Sequence, residues 1–269
     1  MRDTTIGLLH PGEMGSSLGA ALQVNAARVL WAGEGRSAQT RERAEKAGLV
    51  DGGSPARVVA QSSAIVSICP PHAALDVAGQ VAAHGKPDLY IDANAVAPGT
   101  VDKIAQLLGV ETVVDAAVVG PPAWQPGTTS LLLSGRRADE AAALFAGSAL
   151  AVRVLGDRLG QASMAKACFA LRSKALPTIW LAIQAAAESY GVAEEVGQLL
   201  GETGADLPAE VERINRRARP KAWRWSGEMD EAAATLAAAG LPDGWSAAAA
   251  EMYRRMADAS DPARTPSEN

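Results

Sequence analysis

Thr5-Ile-Gly-Leu-Leu-His10-Pro11-Gly12-Glu13-Met14-Gly15 is the stretch that decides the fold. Thr5–His10 reads as a buried strand and Met14–Asn25 as a helix, with a G-x-x-G turn between them. A strand that runs directly into a helix leaves the first helical N–H groups without partners at the positive end of the helix dipole, an arrangement suited to a pyrophosphate. The glycines let backbone approach the phosphates and let helix pack on strand. His10 stands where the first glycine of a G-x-G-x-x-G turn would be. It either touches the ligand or closes the strand end.

Working outward, Arg28–Gly33 reads as a second strand and Gln39–Ala47 as a helix ending at the C-cap Gly48. Ala64–Cys69, Leu89–Asp92, Thr112–Ala117, Thr129–Ser134 and Ala151–Leu155 are further strand-like runs. Several lack apolar/polar alternation, as strands buried on both faces of a parallel sheet do. The expected architecture is an α/β, Rossmann-type doubly wound domain over residues 1–157. From Leu159 strands vanish, and residues 158–258 read as an all-α C-terminal domain, followed by a polar tail, 259–269, expected to be disordered. Gln161–Tyr190 is helix-compatible throughout, with a kink expected one turn before Pro177. Ala193–Leu200, Pro208–Arg217, Gly227–Ala239 and Ser246–Met256 read as shorter helices, and Leu241-Pro-Asp-Gly244 as a turn in which Gly244 takes the strained position.

The 269 residues are 48% hydrophobic and 20% charged, the balance of a soluble globular protein. With 25 basic and 30 acidic residues the net charge is −5, which argues against broad binding to nucleic acid or anionic membranes. Cys69 and Cys168 form no C-x-x-C pair, and no histidines or Cys–His pair have ligand spacing, so neither a disulfide framework nor a metal is expected. The N-terminal apolar stretch is too short for a signal peptide and no run is long enough to span a membrane, so a cytoplasmic protein is expected. No G-x-S-x-G hydrolase signature is present. The basic run from Arg213 to Arg224, interleaved with Trp223 and Trp225, is read as packing and ion pairing, with partners such as Glu228, rather than as a nucleic-acid surface.

The end of the second strand indicates which dinucleotide fits the turn. Glu34 is an acid of the kind that accepts the 2′-hydroxyl of NAD. Arg36, Ser37 and Arg41 instead make a cationic, hydroxyl-bearing pocket suited to a 2′-phosphate. NADPH is therefore preferred over NADH.

These residues resemble the 6-phosphogluconate dehydrogenase and β-hydroxyacid dehydrogenase superfamily. The C-terminal half resembles the small helical domain of unassigned function found in one of its bacterial subgroups. The most specific stretch is Arg219-Pro-Lys-Ala-Trp-Arg-Trp-Ser-Gly-Glu-Met-Asp-Glu-Ala-Ala-Ala-Thr235, and the likeness covers nearly the whole chain apart from the tail. His10-Pro11-Gly12-Glu13-Met14-Gly15 keeps two glycines and the methionine of the family's GLGxMG turn. The resemblance implies that Cys69-Pro70-Pro71-His72 covers the ribose and nicotinamide side of the cofactor, and that Asn94, in Asp92-Ala-Asn94-Ala-Val-Ala-Pro98, faces the nicotinamide ribose. It also implies that Asp115-Ala-Ala-Val-Val119-Gly120-Pro121 is the substrate segment. Here Val119 lacks the family's serine hydroxyl and Pro121 lacks an N–H, which weakens a carboxylate site built on those donors. Gly160-Gln-Ala162-Ser-Met-Ala-Lys166 is similar to the family's G-x-G-x-x-x-K, whose lysine is catalytic. Phe169 and Ala170 replace its asparagine pair, leaving Ser163, Arg172 and Lys174 as possible polar contacts to the substrate.

The resemblance thus implies an NADP-dependent oxidoreductase acting on a small hydroxy or carbonyl compound. Lys166 would manage one proton, desolvation lowering its pKa from about 10.4 toward working pH. Imine reduction on the same architecture and a non-catalytic NADP-binding sensor are the alternatives. A homodimer formed through the helical domain is also implied.

Overall fold

The computed structural model describes residues 4–259; the tail expected at 259–269 lies, from Ser260 on, outside the described residues. Eight strands form one sheet: β1 (Thr5–Leu9), β2 (Arg28–Trp31), β3 (Val50–Asp51), β4 (Ala64–Ser67), β5 (Leu89–Asp92), β6 (Val113–Val119), β7 (Ser130–Ser134) and β8 (Ala151–Gly156). Their order is β3-β2-β1-β4-β5-β6-β7-β8, the doubly wound α/β arrangement with its switch point between β1 and β4. The connecting helices are α1 (Glu13–Leu22), α2 (Ala38–Lys46), α3 (Pro55–Gln61), α4 (Ala74–His84), α5 (Pro98–Leu108) and α6 (Ala138–Leu144).

The helices cover both faces, which is why the strand runs read without alternation. Ile6, Leu8, Val66, Ile91, Val114 and Leu133 pack with Leu18, Leu22 and Phe145 on one face. Leu9, Ile65, Tyr90 and Val113 pack with Val77, Val81, Val101, Ile104 and Leu108 on the other. Each fully buried Leu, Ile or Val contributes roughly 1.5–3 kcal/mol relative to exposure.

The sheet departs from the all-parallel reading at β7, which runs antiparallel to β6 with Asp115 opposite Ser134. Residues 120–129, the whole β6–β7 connection, are fewer than the dozen or so that a parallel crossover needs. β3 was not legible in the sequence, because its two exposed residues carry no hydrophobic period.

The chain divides after Lys166 into two compact units, whereas the sequence suggested a boundary at 157/158. Helix α7 (Gln161–Ala170) carries the chain across that division. The kink expected before Pro177 is a π-helical turn, Leu171–Ala175, in which the Leu176 N–H donates to the Leu171 carbonyl at 2.9 Å. Proline supplies no N–H, and its ring would strike the carbonyl of Ser173 in a regular helix.

The second unit continues with α8 (Thr178–Ser189), α9 (Ala193–Glu202), α10 (Leu207–Ala218), α11 (Ala222–Ala238) and α12 (Gly244–Asp258). Helix α11 begins five residues before the expected Gly227 and so includes both tryptophans of the basic stretch. Trp225 is buried edge-to-face on Tyr253, ring centroids 5.4 Å apart, with Arg217 over its face at 5.6 Å. Trp223 remains exposed. At the turn before α12 the positive φ falls on Gly240 (70°) and not on Gly244, which simply opens the helix.

Candidate active site

Because β1, β2, β4, β5 and β6 are mutually parallel, the loops that follow them emerge at one edge of the sheet. That edge collects His10–Gly15, Arg36–Ser37, Cys69–Pro71, Asn94 and Val119–Pro121, five segments far apart in sequence.

Helix α1 starts at Glu13 with Gly12 as its N-cap and no side-chain cap, whereas Ser37 caps α2 and Ser54 caps α3. Its leading N–H groups are left for an anion. A Cβ on Gly15 would collide with the His10 carbonyl oxygen, while one on Gly12 would enter open space. The turn is thus tight on its inner side and open on its outer side, which fits a phosphate approaching the backbone.

His10 is the only non-glycine residue at positive φ (69°) among the described residues. That conformation costs a non-glycine residue on the order of 1–3 kcal/mol. Burial, reinforced by the nearby Arg36 charge, lowers the imidazole pKa to about 4 against a weaker contact with the Leu9 backbone, so the ring is neutral near pH 7.

At the end of β2 the expected cationic pocket is only partly free. Arg36 is half-buried. The Ser37 hydroxyl accepts the Thr40 N–H at 3.3 Å as the α2 cap. Arg41 is committed elsewhere, pairing with Asp51 at 3.1 Å and donating to the Gly33 carbonyl at 2.5 Å. Its partner lies on β3, which the sequence did not reveal. Glu34, the alternative NAD-type acid, is exposed.

A buried polar row crosses the sheet, pairing Ser67 with Asp92, Asp92 with Asp115 and Asp115 with Ser134, all fully buried. Asp92 accepts from the Asn94 N–H (3.1 Å) and from Asn94 Nδ2 (3.0 Å). Desolvation outweighs these bonds and raises its pKa to about 7. Asn94 is a brace: Nδ2 also reaches Ser67 Oγ (3.3 Å), and Oδ1 accepts the Cys69 N–H at 2.6 Å. Both amide hydrogens are therefore spent on the scaffold, and what Asn94 sets is the position of the Cys69–Pro71 loop. Burial pushes the Cys69 thiol up to about 12, which keeps it protonated and unreactive. Pro70 and His72 are exposed, and Pro71 opens a short 3₁₀ turn.

Asp115 is the principal residue missed from the sequence. Its carboxylate accepts Ser163 Oγ (2.7 Å), the Ser163 N–H (3.0 Å) and Ser134 Oγ (3.0 Å), while the Ala162 N–H donates to Ser134 Oγ (3.0 Å). This group ties the first turn of α7 to β6. One turn later Lys166 Nζ donates to the Val118 carbonyl at 3.0 Å, so one strand holds the helix at two points. Val119, Gly120 and Pro121 follow directly, with the Pro121 carbonyl accepting Thr129 Oγ1 at 2.5 Å. The signal that could have found Asp115 is its setting, a lone carboxylate in Val113-Val-Asp-Ala-Ala-Val-Val119, since a buried charge requires donors.

Two residues expected to touch substrate are otherwise engaged. Ser163 is buried and its hydroxyl donates to Asp115. Lys174 lies in the second unit, where it pairs with Glu228 and sits over the Trp225 ring at 5.6 Å, and its carbonyl accepts Tyr253 OH at 2.8 Å. Among the described residues no group of three or more His, Cys, Asp or Glu side chains is placed to hold a metal ion, and no helix is long and apolar enough to cross a membrane.

An uncapped, glycine-lined helix at the end of the first strand of a doubly wound sheet is the arrangement by which dinucleotide-binding α/β folds hold a pyrophosphate. Comparison with known proteins agrees. Residues 187–256 match a domain of unknown function, DUF1932. The chain is 29% identical over 198 residues to an uncharacterized 28.5 kDa protein of Methanothermus fervidus, covering 74% of this chain and 76% of that one. It is 27% identical, with a TM-score of 0.66, to a conserved protein of unknown function whose structure is similar to 3-hydroxyacid dehydrogenases, over 95% of this chain and 97% of that one. A reductive aminase from Aspergillus terreus, solved with NADPH, cyclohexanone and allyl amine, shares 17% identity at a TM-score of 0.55, over 94% and 93% of the two chains. The chain is thus similar, over nearly its whole length, to proteins with the fold of 3-hydroxyacid dehydrogenases, and it carries a DUF1932 domain at residues 187–256.

Proposed function

We propose that the protein is an NADPH-dependent oxidoreductase acting on a small hydroxy or carbonyl compound, with Lys166 as the proton donor or acceptor. The observation that carries this reading is the two-point attachment of α7 to β6, which fixes Lys166 Nζ on the strand that leads into Val119–Pro121. A bound nicotinamide would supply the hydride. Glu13, Met14 and Gly15 would present their N–H groups to its pyrophosphate, and Arg36 and Ser37 would face its 2′-phosphate. Lys166 would give its proton to the forming alkoxide oxygen in reduction and take it back in oxidation. Val119 and Pro121 offer neither hydroxyl nor N–H, which favours a substrate without a carboxylate at that point. The same two residues support imine reduction as a second reading, which a lysine beside the reacting carbon makes less economical. The proposal includes a homodimer through the helical unit, where Phe169, Leu176 and Ile179 are exposed.

Arg36→Ala tests the cofactor assignment. A charged hydrogen-bond partner is worth about 1.5–3 kcal/mol, so the NADPH dissociation constant should rise roughly 10- to 150-fold. NADH binding, measured by the same calorimetric titration, should change little. An equal loss for both cofactors would overturn the 2′-phosphate assignment.

A further inference from the structure

Asn94 braces the Cys69–Pro71 loop in one amide orientation. Oδ1 faces the Cys69 N–H (2.6 Å), which turns Nδ2 toward Asp92 Oδ2 (3.0 Å) and Ser67 Oγ (3.3 Å). A serine hydroxyl donates or accepts, so Ser67 tolerates either orientation. Asp92 does not. An ionised carboxylate only accepts, and its second oxygen takes the Asn94 backbone N–H at 3.1 Å. Side chain and backbone of Asn94 thus hang on one carboxylate.

A proton on Asp92 breaks this arrangement. On Oδ2 it sets a donor against Nδ2. The amide escapes by turning over, which places Nδ2 against the Cys69 N–H and ends the loop bond. On Oδ1 the proton sets the same conflict at the Asn94 N–H. The setting favours such a proton. Asp92 is fully buried beside Asp115, its register partner on β6, which is fully buried too. Two adjacent buried carboxylates resist being charged together. Asp115 has the Ser163 and Ser134 hydroxyls and the Ser163 N–H as donors, whereas Asp92 has the two donors of Asn94. Burial, with the Asp115 charge adding to it, brings the Asp92 pKa to about 7.

Other groups around the pair titrate elsewhere or are held. Burial pushes Tyr90 and Cys69 well above their ordinary values. Lys166 lies one turn beyond Ser163 on α7, with Nζ on the Val118 carbonyl. Helices α4 and α5 bring Val77, Val81, Val101 and Ile104 to the Tyr90 side. His72, exposed in the loop itself, belongs to a residue type that changes charge in the same pH range.

We propose that Asp92 is the positioning residue of this loop: its ionised carboxylate holds Cys69–Pro71 through Asn94, and a proton on it releases the loop. The loop is therefore held above about pH 7 and loosened below it. The switch itself is independent of the cofactor reading. Its effect on binding rests on that reading.

The test is exchange of the Cys69 amide hydrogen between pH 6 and 8, read by NMR as protection relative to the intrinsic rate at each pH. Full-length wild type, Asp92→Asn and His72→Gln are compared, with thermal unfolding as a check on folding. Wild-type protection should rise at least threefold from pH 6 to 8. Asp92→Asn, which cannot ionise, should stay at the wild-type pH 6 level throughout, and His72→Gln should follow wild type. Flat wild-type protection overturns the proposal. So does an Asp92→Asn protein that follows wild type, or a His72→Gln protein that loses the pH dependence. If Asp92→Asn fails to fold, the other two proteins still decide. NADPH is then titrated at pH 6 and pH 8. Its own phosphates titrate alike with every protein, so the weakening at pH 6 should be at least threefold greater for wild type than for Asp92→Asn. Equal weakening overturns the positioning role. Exchange as expected with no NADPH binding at either pH would leave the switch standing and remove the cofactor reading.

Discussion

Replacing Lys166 with alanine is expected to reduce turnover by about 10²–10⁴, the usual contribution of a positioned acid–base group, while NADPH affinity stays within about twofold. Lys166 stands on α7, held at Ser163 by Asp115 and at its own Nζ by the Val118 carbonyl, both on β6. The phosphate-binding turn and the Arg36 pocket belong to other segments of the same edge, which is why binding should survive. The measurement is NADPH oxidation with whichever of a panel of 3-hydroxy acids, ketones and imines the wild-type protein accepts. Methionine, similar in length and uncharged, should behave like alanine. A Lys166→Ala protein with wild-type turnover would remove the lysine from the chemistry and leave imine reduction, which can proceed without it, as the better reading.

The largest effect on stability is expected at Asp115. Truncation to alanine leaves Ser163 Oγ, the Ser163 N–H and Ser134 Oγ without their acceptor in a fully buried setting. Each stranded donor costs about 1–3 kcal/mol, but the Asp115 carboxylate is itself costly to bury, its pKa being raised by desolvation despite its donors. A net loss of about 2–4 kcal/mol follows, which in a chain of this size lowers Tm by roughly 5–15 °C. Asp115→Asn keeps one acceptor oxygen and should lose about half as much. Because the same bonds set the start of α7, the Asn variant should also lower kcat more than it raises KM. Thermal unfolding of the alanine variant within about 2 °C of wild type would show that the clamp contributes nothing to stability.

The parts of the fold that were legible in the sequence are those with a local cause. Thr5–Gly15 announces a strand, a tight turn and a helix by composition alone, and Pro177 announces the break in the long helix because proline removes a donor wherever it falls. The antiparallel β7 was hidden, since its direction depends on the length of the 120–129 connection rather than on any pattern within Ser130–Ser134. The site shows the same division. The glycine turn could be picked out by its spacing and Lys166 by the resemblance of its segment to a known family's, but the partners that fix or occupy candidate residues lie far off in the chain. Asp115 is 48 residues before Ser163, and the Asp51 that holds Arg41 sits on a strand of two residues. Asn94 was read as facing a ribose because its motif places it there. Its amide is instead spent on Cys69, Ser67 and Asp92.

The central claim is that the open turn at Gly12–Gly15 and the pocket at Arg36 receive a phosphorylated nicotinamide dinucleotide. Parallel calorimetric titration of the full chain with NADPH and NADH tests it most directly. Saturable binding of NADPH, at least tenfold tighter than NADH, is the predicted result. Failure to bind either would mean that His10 and Pro11 have closed the turn to phosphate, and would contradict the account.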